Sequence, residues 1–336
     1  MKILLSILLS LFVLASCTKK APEIVSIQGE VFGAYYIVKY RGDLDREKFK
    51  YELGEFFKDF NSAFSTYQKD SVISIFNQEP ANKRIIVSVE FIELLKIAKK
   101  LFQQTDGAFD PTLGPVIKAW GFGGGAEKKI PSAIELKNAM ELVGFNYIQW
   151  DEKEVSVWKT KDGVQLDVNA FAPGFAADLV GKLLEKHKIT NYMVDMSGEF
   201  VVRGDKGNGL AWIIGIEKPS ENYQEAVQEI LTLENQAIAT SGNYRQFFNE
   251  KGEKLSHILD PRTGRPVDNN IASASAIAET SAEADAWGTA MMILGEKGIP
   301  LAQKHGVKVF LLKASGPNKF DEMMTDNFKA HLIKAK

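Results

Sequence analysis

Two oxygen-bearing side chains one helical turn apart, Asp285 and Thr289 in Asp285-Ala-Trp-Gly-Thr289, carry the most pointed chemistry in this sequence. Positions i and i+4 of a helix share a face, so the carboxylate and the hydroxyl point together. A hard cation such as Mg²⁺ takes oxygen ligands of this kind and keeps further positions for phosphate oxygens. An isolated pair of this type is also an ordinary exposed helix face. Here Ala282, Ala284, Ala286, Trp287, Ala290, Met291 and Met292 surround it. Their composition makes the helix mostly buried, where an unpaired aspartate is costly.

Three further stretches hold chemistry-bearing residues. Asp167-Val-Asn-Ala170-Phe-Ala-Pro-Gly174 leads from a strand pattern into a helix pattern. Gly174 permits close backbone approach, and the free N–H groups of a helix start favour a phosphate. Read alone, the stretch is equally a turn with Asn169 as the cap. Ser256-His257-Ile-Leu-Asp260-Pro-Arg-Thr-Gly264 sets an imidazole three residues from a carboxylate, a base and its orienting group or else a structural histidine ahead of a turn. Ser65-Thr-Tyr67, Thr105-Asp-Gly-Ala108-Phe109-Asp110 and Trp120-Gly-Phe-Gly-Gly-Gly125 offer aromatic faces and glycine loops that suit a flat heterocycle or plain loop packing. The glycine run lacks a P-loop Lys-Ser/Thr and matches no Rossmann fingerprint.

The elements that must position these residues follow from periodicity. Ser26–Tyr40 reads as two strands or one bulged strand. Phe49, Leu53, Phe56, Phe57 and Phe60 form a helical stripe within Asp45–Ser65, and Ser88 caps a second helix, Val89–Gln104. A helix capped by Ser132 runs to Gly144, and another spans about 173–188. Strands are expected near 146–150, 154–158, 164–168, within 192–217, and near 227–234, 237–241, 254–259 and 271–278. The Ser281–Leu294 helix, a Val307–Leu312 strand and a polar tail complete the chain. The mixture lacks a regular βαβ repeat, which predicts a compact α/β (α+β) fold with mixed, largely antiparallel sheets and flanking helices.

Composition narrows the function classes. The 336 residues are 45% hydrophobic and 25% charged with a net charge of −2, values of a folded globular protein without a basic footprint for nucleic acid. One cysteine excludes an internal disulfide and a multi-cysteine zinc site. That cysteine, Cys17, ends Leu14-Ala-Ser-Cys17 after Lys2 and the apolar run Ile3–Leu14. The run is too short to span a bilayer and resembles a signal segment with a bacterial lipobox. The expected organisation is a signal peptide at 1–16, a lipid-anchored tether at 17–25 and a catalytic domain at 26–336. The expected location is the bacterial cell envelope, outside the cytoplasm.

The ordered set STY, TDGAFDPTLGP, WGFG, LDVNAFAPGFAAD, MSGEFVVRG, ATSGNYR, SHILDPRTGRP and EADAWGT resembles the ApbE family of FAD:protein FMN transferases, from about Gly29 to the 310s. The resemblance implies an enzyme that binds FAD with Mg²⁺ at its pyrophosphate and moves FMN onto a Thr or Ser hydroxyl of an exported flavoprotein, releasing AMP. It implies Mg²⁺ on Asp285, Thr289 and the Ala170 carbonyl. FAD would meet Phe32, Tyr67, Ala108, Phe109, Asp110, Asp167, Pro173 and Leu259, with His257 activating the acceptor hydroxyl. Two positions depart from the family: Pro173 stands where many members carry Lys or Glu, and Gly288 where some carry an acidic residue beside the metal-binding Thr. FAD hydrolysis to FMN and AMP is the close alternative, and a non-catalytic flavin-binding lipoprotein the distant one.

Overall fold

Alternating burial on short β-branched and alanine-rich runs builds a sheet that is covered on both faces. In the computed structural model the described residues are 23–122, 128–219, 227–243, 247–250, 253–316 and 318–333. The signal segment with Cys17, most of the tether, Gly123–Gly125 and Tyr244-Arg245 lie outside them. The strands that matter here are β1 (Val25–Val31), β2 (Ala34–Arg41), β3 (Asn191–Asp195), β4 (Phe200–Arg203), β5 (Trp212–Glu217), β6 (Val227–Leu233), β7 (Ala237–Gly242), β8 (Ile271–Ala278), β9 (Lys308–Gly316) and β10 (Lys319–Met324).

Eight of them form one sheet in the order β1-β2-β3-β4-β7-β8-β9-β10, and every pairing in it is antiparallel. β5 and β6 pair with each other as a separate hairpin, and Leu231 of β6 also bridges Leu332. That hairpin covers one face: Trp212, Ile214, Ile216, Leu231 and Leu233 pack on Met193, Val202, Ile238, Ile277, Phe310 and Leu312. The opposite face packs against the main core, which holds helices α1 (Arg46–Phe64), α2 (Val89–Gln104), α3 (Ala172–Lys186) and α4 (Ser281–Leu294).

Local chemistry explains the helix starts. The Asp45 carboxylate accepts from Lys48 N–H at α1, and the Ser88 hydroxyl from Phe91 N–H at α2. The α1 stripe buries Phe49, Leu53, Phe57, Phe60 and Phe64, while Phe56 is only half-buried. No described helix is long and apolar enough to cross a membrane.

Three expectations fail locally. Residues 164–168 are not a strand. Their backbone groups bind a helix side chain and a loop instead, with Leu166 N–H on Asn77 Oδ1 of the Val72–Gln78 helix at 2.7 Å and Asp167 N–H on the Pro111 carbonyl at 2.7 Å. The Ser132 helix ends at Met140, because residues 141–143 tighten into a turn before Gly144 at φ 150°. The polar tail contains β10, whose polarity reflects an outermost strand with mostly open faces.

Candidate active site

α3 and α4 cross in direct backbone contact. A Cβ added to Gly174 would lie 2.4 Å from the Ser281 carbonyl oxygen, so only glycine fits in the first turn of α3. Phe171, the N-cap of α3, provides no side-chain cap, and the Gly174 N–H donates instead to Asp285 Oδ2 at 3.2 Å. The expected capping residue, Asn169, is turned elsewhere: its side-chain amide donates to Thr66 Oγ1 at 3.1 Å. In return Asp178 of α3 accepts from Ser281 N–H at 2.8 Å and Ala282 N–H at 2.9 Å, the first turn of α4.

The crossing brings three oxygens together. The Thr289 hydroxyl lies 3.5 Å from the Ala170 carbonyl oxygen, just before α3, and 3.4 Å from Ser241 Oγ at the end of β7. Asp285 sits one turn before Thr289 and is 7% exposed. Burial pushes its carboxyl up to about 8, with the Asp178 charge adding to the rise and the Gly174 hydrogen bond opposing it. Burial likewise raises Asp178 to about 7 and Asp195 to about 6. Glu199, on the turn between β3 and β4, is raised by burial and then by the charges of Asp285 and Asp195.

Loops from three parts of the chain meet around this point. Thr66, beside the exposed Tyr67, is tied to the 167–171 loop through Asn169. Phe109 meets Phe171 edge-on at 5.1 Å, and the Pro111–Asp167 bond joins the two loops. Asp167 is half-buried, and burial raises its pKa. Phe32, in the β1–β2 turn at φ 56°, lies over Phe57 and Phe60 of α1, and Phe60 reaches Phe175 of α3 at 6.4 Å. His257 is half-buried at the bend after the 253–256 strand, ahead of a segment that joins two cores. Ile258 packs on the main core, and Leu259 on a satellite cluster with Val116, Trp120, Leu136 and Ala139.

With this geometry in view, the pattern of the ApbE family matches residues 32–311. The chain belongs to the ApbE family. An ApbE relative from Haemophilus influenzae called FAD:protein FMN transferase is 37% identical over 310 residues, 89% of each chain. One of the same description from Vibrio cholerae is 34% identical over 97% of this chain and 98% of the relative. Among solved structures, the apo flavinyl transferase ApbE of Pseudomonas stutzeri superposes with a TM-score of 0.84 at 32% identity, covering 93% of this chain and 97% of that one.

Several residues singled out through the ApbE resemblance have internal roles. Asp110 is buried and closes its own loop, accepting from Thr112 N–H at 2.8 Å, Thr112 Oγ1 at 2.6 Å and Phe145 N–H at 3.2 Å. Ala108, Phe109 and Leu259 are also buried, so they shape the site from beneath. Asp260 is gripped at both oxygens by Arg262, at 2.8 and 2.7 Å, which anchors the turn to Gly264. Pro173 stands in the first turn of α3, where a missing N–H breaks no helix bond.

Gly288 bears on the expectation that an acidic residue there would add a carboxylate near the cation. A Cβ at 288 would lie 2.9 Å from Ser241 Oγ and 3.3 Å from the Ala274 carbonyl, so the position faces the sheet. Ala170, Asp285 and Thr289 together suit Mg²⁺: carbonyl, carboxylate and hydroxyl are hard oxygen donors. The buried Asp285 carboxylate, held by one long hydrogen bond among the described residues, suits a cation that stabilises its charged form. Among the described residues no three His, Cys, Asp or Glu side chains gather into a metal site; a cation held here would draw its other ligands from backbone and hydroxyl oxygens, water or a ligand's phosphates. Asp178, Ser241 and Glu199 were not assigned a role by sequence reasoning. The spacing Gly174-x-x-x-Asp178 beside Ser281-x-x-x-Asp285 was the available signal for the first.

Proposed function

We propose that the protein is a Mg²⁺-dependent FAD:protein FMN transferase that modifies a Ser or Thr hydroxyl of an exported flavoprotein and releases AMP. The observation that carries the reading is the Thr289 hydroxyl beside the Ala170 carbonyl, one helical turn from a buried Asp285 carboxylate held on the Gly174 N–H, in a chain of the ApbE family. When bound there, Mg²⁺ would neutralise charge on the pyrophosphate oxygens.

The side chains then have separable tasks. Ala170, Asp285 and Thr289 hold the cation. Phe32, over Phe57 and Phe60, and Tyr67 offer exposed aromatic surface for the flavin or adenine ring. Asp167 and Pro173 line the approach to the first turn of α3. His257 takes the proton of the acceptor hydroxyl, whose oxygen forms a bond to the FMN phosphorus as the bond to the AMP oxygen breaks. AMP leaves with the electron pair of that bond.

The Leu14–Cys17 segment supports a lipid-anchored enzyme in the cell envelope, which is where an exported acceptor would be met. The test is incubation of the protein with FAD, Mg²⁺ and candidate exported flavoproteins, followed by mass spectrometry. A mass gain of one FMN on a Ser or Thr is expected, and His257→Ala should reduce it by about 10²–10⁴-fold. AMP release at full rate without any acceptor modification would assign FAD hydrolysis instead.

A further inference from the structure

Asp178 and Asp285 occupy matching places on the two crossing helices. Each stands four residues after the small residue at the contact, Gly174 on α3 and Ser281 on α4. Each carboxylate reaches across to the start of the other helix, but the two caps are unequal. Asp178 uses both oxygens, accepting at 2.8 and 2.9 Å from consecutive N–H groups of α4. Asp285 accepts one bond at 3.2 Å from α3. Asp178 is therefore committed to the helix start, whereas Asp285 keeps lone pairs for something else.

The division has a mechanical consequence. The Ala170 carbonyl precedes α3, while Asp285 and Thr289 ride on α4, so the spacing of the three oxygens depends on how α4 is registered against α3. The backbone contact at Gly174 sets how near the helices come. The paired bonds to Ser281 and Ala282 set where α4 begins along that contact. Burial raises the Asp178 pKa to about 7, and its bonds from Ala282 and Ser281 N–H, with the charges of Arg203 and Lys182, oppose the rise.

We propose that Asp178 is a positioning residue of the cation site, fixing the register of α4 so that Asp285 and Thr289 meet the Ala170 carbonyl. The proposal rests on reading those three residues as the cation ligands. Residues that orient metal ligands typically affect affinity by about 10–100-fold when changed.

The test uses Mn²⁺ as the probe, with binding to the purified protein followed by electron paramagnetic resonance and calorimetry. Asp178→Ala should weaken Mn²⁺ by about 10–100-fold. Asp178→Asn, whose amide oxygen still accepts one N–H, should lose less. At saturating Mn²⁺ the Asn variant should regain its FAD turnover, so that the cation requirement moves and kcat does not. Ser88→Ala removes the α2 cap and serves as the control: its melting temperature should fall while its Mn²⁺ affinity stays unchanged. Wild-type affinity in both Asp178 variants, with binding lost in Asp285→Asn, would overturn the proposal. Wild-type affinity in Asp285→Asn would instead overturn the reading of the ligands. If Asp178→Ala does not fold, Asp178→Asn decides by the same comparison with Ser88→Ala.

Discussion

On the helix side of the large sheet, β7 and β8 present Ala237, Ala239, Ala274, Ala276 and Ala278; on the hairpin side, β7, β8 and β9 present Ile238, Ile277, Phe310 and Leu312. Both sets are buried, so the contrast is one of size and not of polarity. Small side chains let α4 approach until the backbone at Gly288 nearly touches Ser241 and Ala274. That approach allows Thr289 to reach both the end of β7 and the Ala170 carbonyl. The hairpin face fills its space with bulk. Each buried methylene contributes about 0.8 kcal/mol, so the large residues supply more stability per position. The face that places the ligands gives up that contribution for closeness.

The contrast can be broken from either side. Phe310, stacked on Phe328 at 5.5 Å, is a large anchor of the hairpin face. Phe310→Ala should cost about 3–5 kcal/mol of stability in urea titrations. The Mn²⁺ affinity of the folded protein should not change. A parallel loss of affinity would mean that the two faces act as one unit. Gly288→Ala should cost less, about 1–3 kcal/mol, because a single methyl is forced against Ser241. Unlike the first variant, it should weaken Mn²⁺ binding by displacing Thr289. A neutral result would show that α4 has slack against the sheet, and the contrast drawn here would fail.

Local features were the legible ones. The caps Ser88 and Ser132, the helical stripe within Asp45–Ser65 and the helix Ser281–Leu294 stand where the local pattern places them, because each is decided within a few residues. β10 was hidden because an edge strand need not alternate. Residues 164–168 imitate a strand in composition, yet their partners are Asn77 and Pro111, which no local pattern reveals. The pair Asp285 and Thr289 was visible from one helix turn. Asp178 was not, since its partners lie 103 and 104 residues away. Asp260 was visible from its spacing to His257, while its partner Arg262, two residues on, was hidden inside a plain turn signature.

A further expected effect concerns pH and centres on the α3–α4 crossing. Asp285 and Asp178 have folded-state pKa values raised to about 8 and about 7 from an ordinary 3.8. Each therefore holds its proton in the folded chain at pH values where the unfolded chain has released it. Their stabilising contribution is complete below about pH 4 and is lost as pH rises toward 7–8. In chelator-treated protein this should appear as a decline of at most about 1.4 kcal/mol per pH unit for each proton involved. Asp285→Asn removes one of the two groups and should flatten the slope. Saturating Mg²⁺ should flatten it as well, by holding Asp285 ionised, and cation affinity should rise with pH until about 8. The same titration on Phe310→Ala should keep the wild-type slope at a lower stability, since Phe310 and its stacked partner Phe328 carry no ionisable group and leave Asp178 and Asp285 in place. A slope unchanged in Asp285→Asn would locate the proton elsewhere, with Glu199 the next carboxyl to test, because it too is raised by burial and by its acidic neighbours.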